Sequence, residues 1–330
     1  MKTVKLKFIG KWEGITPEDN VVCYWLKKNG YDVRVTDDAD YIICDVLGED
    51  HYEYCRYPQV RIFESGENVT PDFNLVDYAI SRYPISFGDR NFYLPGCTTP
   101  GHYWHALARK DRNYPEEFLK EKIYFANLIA GHDSEHNMRS TFFEKLNAYK
   151  RVESPGTFLN NMPGGKTVNW LDDSKANFQR QSKFTICFES TAHEGFITEK
   201  ITDAFFSDTI PIFFGSSNIT EFFNKDAFIN VSDYESLDAV VEKIKELDQD
   251  DEKYLAMLRQ PVLVDPDMPR RLDEELEAYI LHIFEQPLEK AYRRCRVYYP
   301  KWQDEFLARA IEPTKLYKLK QKMKRFLNKG

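Results

Sequence analysis

Between residues 183 and 215 the sequence places two charged side chains where a phosphate could be held. The run KFTICFE (183–189) has the β-branched and aromatic composition of a buried strand. After STAHEGFI comes TEKITDAFFS (198–207), which reads as a helix with Thr198 at its N-cap position. Glu199 and Lys200 then fall in the first helical turn. Backbone N–H groups and the positive end of the helix dipole favour an anion there, and Lys200 adds a formal charge. In an open parallel sheet, ligands bind beyond the carboxyl ends of the strands, which is where this turn lies. A first-turn acid and a neighbouring lysine also occur as plain capping and solvated surface, so spacing alone leaves both readings open.

The elements that must position these residues come in two α/β runs. In the first, strands are predicted at KLKFIG (5–10), DVRVT (32–36), YIICDV (41–46), VRIF (60–63) and NLVDYAI (74–80), with a helix over 16–29 ending at Gly30. In the second, strands at 122–130, 183–189 and 210–215 alternate with helices at 138–150 and 198–207, and helical periodicity returns at 234–258 and 270–297. Such alternation implies parallel sheets with right-handed crossovers. Residues 81–120 carry Pro84, Gly88, Pro95, Gly96, Pro100, Gly101 and Pro115 and read as the connection between two domains.

Length and composition narrow the class. The chain has 330 residues, more than one core usually organises. With 24 Phe, 20 Tyr and 5 Trp it has ample apolar area to bury, which argues against disorder. No run approaches the 18 apolar residues of a membrane-spanning helix, and MKTVKLKFIGKW lacks the apolar core of a signal peptide. The six cysteines form no CxxC pair, which fits reduced intracellular thiols. The net charge of −8 hides an asymmetry: residues 314–330 carry +7, leaving −15 on the rest. An acidic body argues against broad nucleic-acid binding.

The segment FESTAHEGFITEKITDAFFSDTIPIFFG resembles the donor-site signature of the α-1,3/4-fucosyltransferases. The match consists of Phe188, Glu189, Thr198, Glu199, Lys200, Asp203, Ala204, Ile210, Pro211 and Gly215 in the family's order and spacing. NMRSTFFEKLN (137–147) is similar to the family's arginine-bearing segment, and FESGENVTPDFNLVDYAIS (63–81) to a stretch of its bacterial members. The chain departs from the pattern at Ser190, where the family commonly has Asn, and at Phe196, where it commonly has Tyr. A phenylalanine ring offers no hydroxyl, so a tyrosine-type donor contact is not expected at 196.

The resemblance implies a GT-B fold, two Rossmann-like domains facing a cleft, and inverting transfer of L-fucose from GDP-fucose. It implies an acceptor-binding domain over 1–118, a GDP-fucose-binding domain over 119–300, and a basic amphipathic helical tail over 301–330. Arg139 and Lys200 would contact the diphosphate, Glu199 the fucose hydroxyls, and Glu189, Ser190 and Phe196 would belong to the same pocket. Glu67 would be the catalytic base. Both Glu64 and Glu67 follow the strand at 60–63, and Glu67 is preferred because it sits in the matching GEN; Glu64 stays the alternative. GDP needs no acid to leave, only stabilisation of its β-phosphate, and two cationic side chains with a helix N-terminus supply that without a metal or other cofactor. DDAD (37–40) and QDDE (249–252) read as acidic loop and helix end.

The implied acceptor is a GlcNAc or glucose unit in an oligosaccharide, fucosylated at its 3-hydroxyl, with the 4-hydroxyl as the alternative. The alternatives for the whole protein are a related GT-B transferase with another nucleotide sugar, or a silent glycan- or nucleotide-binding protein. His132 and His136 read as polar loop, NMPGGK (161–166) as a turn that could line the guanosine pocket, and YYPKW (298–302) as packing. Tyr83, Tyr103 and Trp104 are candidates for stacking on the acceptor or for the core. Leu316, Leu319, Met323, Phe326 and Leu327 make an apolar stripe on a basic helix, which suggests peripheral contact of a cytoplasmic protein with an anionic membrane.

Overall fold

The computed structural model describes residues 2–11, 20–48, 50–98, 103–169 and 172–311. It divides into two units, residues up to 94 with those from 274 onward, and residues 95–273.

The first unit contains β1 (Thr3–Ile9), α1 (Val21–Lys28), β2 (Asp32–Val35), β3 (Tyr41–Cys44), β4 (Val60–Glu64), β5 (Tyr78–Ser81) and β6 (Asn91–Tyr93). Its sheet runs β2-β1-β3-β4-β5-β6, parallel throughout. The central β3 is buried at every position, the pattern of a parallel strand covered on both faces. Val21, Val22, Trp25 and Leu26 of α1 are buried at helical spacing as predicted. The described helix begins at 21 because Asn20 caps it, its side chain accepting from the Val22 N–H.

The second unit contains α2 (Trp104–Leu107), β7 (Tyr124–Leu128), α3 (Met138–Tyr149), β8 (Val152–Glu153), α4 (Ser174–Arg180), β9 (Ser182–Phe188), α5 (Glu199–Phe206), β10 (Ile210–Phe214), β11 (Ile229–Asn230), α6 (Leu237–Gln249) and α7 (Asp251–Leu258). Its sheet runs β11-β10-β9-β7-β8, again all parallel. Phe142, Phe143 and Leu146 of α3 enter the core, and Tyr149 packs at its margin. Arg139 lies on the same buried side of that helix.

The division differs from the predicted 118/119 boundary. Residues 81–94 add β6 to the first sheet, while 95–118 join the second unit. Further on, α8 (Met268–Glu285) spans the division, and α9 (Leu288–Ala291) and the helical residues 299–311 return to the first unit. They are fastened there by polar contacts that periodicity does not announce. The Tyr279 hydroxyl donates to the Ala79 carbonyl, and fully buried Asp77 accepts from the Arg293 and Arg294 N–H groups. Arg61, 1% exposed, holds Asp304 through two bonds of 2.8 and 2.9 Å.

The predicted packing of YYPKW is also corrected: Tyr298, Tyr299 and Trp302 are exposed, as is Phe306. The basic stripe at 314–330 lies outside the described residues.

Candidate active site

The carboxyl end of β9 carries a dense, largely buried polar arrangement. Glu189 is fully buried. Its carboxylate accepts from the Thr198 N–H at 2.7 Å, the Thr198 hydroxyl at 2.8 Å and Lys200 Nζ at 2.9 Å. Lys200 Nζ also donates to Thr198 Oγ1 at 2.8 Å. Thr198 is the N-cap residue of α5, as predicted, yet its side chain does not cap the helix; it is turned to Glu189 and Lys200. Gly215, at the end of β10, permits this packing, because a Cβ there would stand 2.8 Å from the Glu189 Cγ.

Burial works against the Lys200 ammonium, but Glu189 and then Glu199 outweigh it and hold its pKa above the ordinary lysine value. The side chain stays charged while keeping 24% of its surface exposed. An ammonium has three donors, and Lys200 spends two of them on Glu189 and Thr198. Glu199 Oε1 stands at 3.8 Å, outside hydrogen-bond distance.

Arg139 reaches the same strand end from the first turn of α3. It is 3% exposed. Its Nε and Nη2 both donate to the Phe188 carbonyl, at 3.0 and 2.7 Å, and Nη1 donates to the His132 carbonyl at 2.8 Å. Desolvation lowers its pKa, with Glu189 opposing, yet a guanidinium remains charged. Sequence reasoning missed the supports of this arginine. Ser134 Oγ accepts from the Arg139 N–H, and Asp133 holds the Ser140 hydroxyl. The hydroxyl-rich DSEHNMRS was the available signal.

The remaining predicted residues sit around this centre. The Ser190 carbonyl accepts from the Glu135 N–H at 2.7 Å. Phe196 is buried in the loop leading to Thr198, which is held at Gly195 N by Ser216 Oγ at 2.7 Å. That serine, just beyond β10, was another residue sequence reasoning missed.

In the first unit, Glu64 and Glu67 have different surroundings. Glu64 ends β4 and is paired with Lys11, whose Nζ also donates to the Glu64 carbonyl at 2.9 Å and to Asp45 at 3.3 Å. Asn20 Nδ2 donates to the Glu64 carboxylate at 2.8 Å. Burial opposes ionisation of Glu64, but Lys11 outweighs it, helped by Arg82 and Asn20, and holds the carboxyl below its ordinary range. Glu67 is exposed three residues later. Its N–H donates to Ser65 Oγ, and neighbouring Asn68 accepts from the Tyr83 hydroxyl. Trp104 is core, packed edge-on against Phe222 and Phe223, and Tyr103 stacks on Phe206.

Among the described residues, no group of three His, Cys, Asp or Glu side chains is arranged to hold a metal ion. Asp37 and Asp38 of DDAD pair with Lys7 and Lys5, and Asp250 caps α7.

Two all-parallel α/β units, with a lysine and an arginine gathered at one strand end, define the architecture of the nucleotide-sugar-dependent GT-B glycosyltransferases. Residues 6–98 match the sequence model of the alpha-(1,3)-fucosyltransferase FucT N-terminal domain, and residues 119–259 that of the glycosyltransferase family 10 (fucosyltransferase) C-terminal region. The chain belongs to that fucosyltransferase family. It is 28% identical over 287 residues to alpha-(1,3)-fucosyltransferase FucT of Helicobacter pylori, an alignment covering 76% of this chain and 58% of that protein. The matched region is thus somewhat over half of that relative's length. A crystal structure of alpha1,3-fucosyltransferase superposes with a TM-score of 0.71 at 26% identity, covering 86% of this chain and 91% of the other. A second, with GDP, gives 0.67 at 26% identity and the same coverage.

Proposed function

We propose that this chain transfers L-fucose from GDP-fucose, with inversion, to the 3-hydroxyl of a GlcNAc or glucose unit in a glycan. The observation that carries the reading is the donor that Lys200, a lysine held ionised near Arg139 at the start of α5, keeps unspent among the described residues. The solved alpha1,3-fucosyltransferase with GDP supports the same donor chemistry.

The steps follow from the residues. Lys200 and the first turn of α5 receive the diphosphate and stabilise the charge that develops on the β-phosphate as the glycosidic bond breaks. Arg139 adds its charge at that end of the strand. A direct bond from it to the phosphate shares a guanidinium already committed to the Phe188 and His132 carbonyls. Glu199, partly exposed beside Lys200, accepts fucose hydroxyls, and Ser190 and Phe196 line the pocket. Glu67 takes the proton from the acceptor hydroxyl as that oxygen attacks the anomeric carbon from the face opposite GDP. Its exposure suits a base that must meet a substrate; Glu64, bound to Lys11 and Asn20, is a poor acceptor for a further proton. No metal enters these steps.

The acceptor is tested by assaying GDP release and fucosylated product with GDP-fucose over lactose, N-acetyllactosamine, its type-1 isomer and chitobiose. Product on a 3-hydroxyl supports the reading, a 4-linked product changes the regiochemistry, and no product on any acceptor contradicts it. No described helix is long and apolar enough to cross a membrane. Peripheral attachment through 314–330 is proposed from the sequence, with exposed Tyr299, Trp302 and Phe306 adding interfacial area. Co-sedimentation with anionic vesicles, full chain against a 1–313 truncation, tests it; equal partitioning contradicts it.

A further inference from the structure

The interaction of Glu64 with Lys11 is more than a buried pair, because it joins four chain segments in the first unit. Lys11 is the second residue after β1, Asn20 is the N-cap of α1, Asp45 follows β3, and Glu64 ends β4. One lysine donates to Asp45, to the Glu64 carboxylate and to the Glu64 carbonyl, which accounts for its three donors. The Asn20 amide is divided in the same way: Oδ1 caps α1 through Val22 N–H, and Nδ2 binds Glu64. Lys11 and Glu64 side chains are each only 13% exposed, and Asp45 and Asn20 are buried. The backbone is shaped for this meeting. Gly10 has φ +75°, and a Cβ there would stand 2.0 Å from the Asp45 carbonyl, so only glycine lets β1 exit against that turn. Arg82 is also near, its guanidinium lying 3.8 Å from where a Gly66 Cβ would be and its charge helping to hold Glu64 ionised.

The segment that leaves this junction is Ser65-Gly66-Glu67, with the Glu67 N–H bound to Ser65 Oγ. Glu67 is exposed and hangs from a glycine-containing turn, so its position depends on the strand end behind it as well as on the Asn68–Tyr83 contact ahead of it. We propose that Glu64 is a positioning residue for the transfer reaction: clamped by Lys11 and Asn20, it fixes the end of β4 from which the Glu67 loop departs. This rests on the reading of Glu67 as the base. Loosening the junction displaces the proton acceptor without touching the donor-binding unit, and errors of about 1 Å in such groups cost on the order of 100-fold.

The test is steady-state kinetics on the full chain for wild type, Glu64→Gln, Lys11→Met, the double variant, Asn20→Ser and Glu67→Gln. Glu64→Gln and Lys11→Met each lower kcat about 10- to 100-fold, and the double variant falls no further than the worse single one, because the two act as one unit. KM for GDP-fucose is unchanged, and the acid limb of the kcat–pH profile keeps its wild-type midpoint in all three. Asn20→Ser guards against a folding defect, since serine still caps α1 but cannot reach Glu64; it lowers kcat about 3- to 10-fold, a modest loss of orientation. Near-wild-type kcat in Glu64→Gln or in Asn20→Ser, or multiplying losses in the double variant, overturns the proposal. So does a Glu64→Gln variant as inactive as Glu67→Gln with Lys11→Met still active, which gives the proton to Glu64 itself. A fully active Glu67→Gln is a different failure, that of the base assignment.

Discussion

The tripeptide Phe-Glu-Ser occurs at the end of a central strand in both units, as Phe63-Glu64-Ser65 where β4 ends and as Phe188-Glu189-Ser190 where β9 ends. In each, the glutamate is withdrawn from solvent and pairs with a lysine from another segment. What separates them is the remaining capacity of the lysine. Lys11 has three acceptors and is 13% exposed, so the junction is closed. Lys200 has two, is 24% exposed, and stands at the start of a helix whose N-cap side chain is turned away. On the proposed reading, the same local sequence makes a fastening in one unit and an anion-receiving group in the other. Strand-end position is shared; the donor that Lys200 keeps unspent among the described residues is what points to a ligand there.

The largest way to break this comparison is at the second lysine. Lys200→Ala and Arg139→Ala each cost about 2–4 kcal/mol of transition-state stabilisation, the loss of a charge-assisted contact to a developing anion. Single-turnover rates with saturating donor check this, and near-wild-type turnover in both variants contradicts it. Lys200→Met also strands a buried carboxylate. Because the lysine is a quarter exposed, its stability cost falls at the low end for a broken pair, about 3 kcal/mol in urea unfolding.

A milder test uses pH. The pKa of Lys200 is raised, so its pairing with Glu189 is complete below the unfolded-state value and is lost only as pH rises through the higher folded value. Donor binding should thus stay flat from about pH 7 to about pH 9, well below an ordinary lysine pKa. A decline across that interval, measured as GDP affinity by calorimetry, shows that Lys200 is not held as described. For Glu64 the sign is opposite. Its pKa is lowered, so its pairing persists above the ordinary carboxyl range and fails only as pH falls through the depressed value. The smallest effect expected is that of a chelator. With cationic side chains neutralising the leaving group, EDTA should leave most activity, and complete loss restored by Mn²⁺ contradicts the metal-free scheme.

Much of this arrangement was legible in the sequence, and the reason is local. Strands with continuous apolar runs, such as YIIC, and helices with clear amphipathic spacing, such as 21–28, are specified within one element. Thr198, Glu199 and Lys200 share one strand–turn–helix segment, so their joint placement followed from reading it. Arg139, which the resemblance supplied, proved to share that strand end. The junction around Glu64 was not legible, because Lys11, Asn20 and Asp45 come from three segments and none stands out alone. The return of 274–311 to the first unit was hidden for the same reason: Asp77 meets Arg294 across more than two hundred residues. The exposed Tyr298, Tyr299 and Trp302 show the limit of composition, since aromatic residues bury only where another element covers them.

The most direct measurement compares GDP-fucose binding and fucose transfer in two variants, Glu67→Gln and Lys200→Ala, beside wild type. The account predicts that the two functions separate. Glu67→Gln binds the donor as wild type does and transfers no fucose, because an amide cannot accept the hydroxyl proton, while Lys200→Ala loses affinity and rate together. Transfer at the wild-type rate by Glu67→Gln, or unaltered donor affinity in Lys200→Ala, would contradict it.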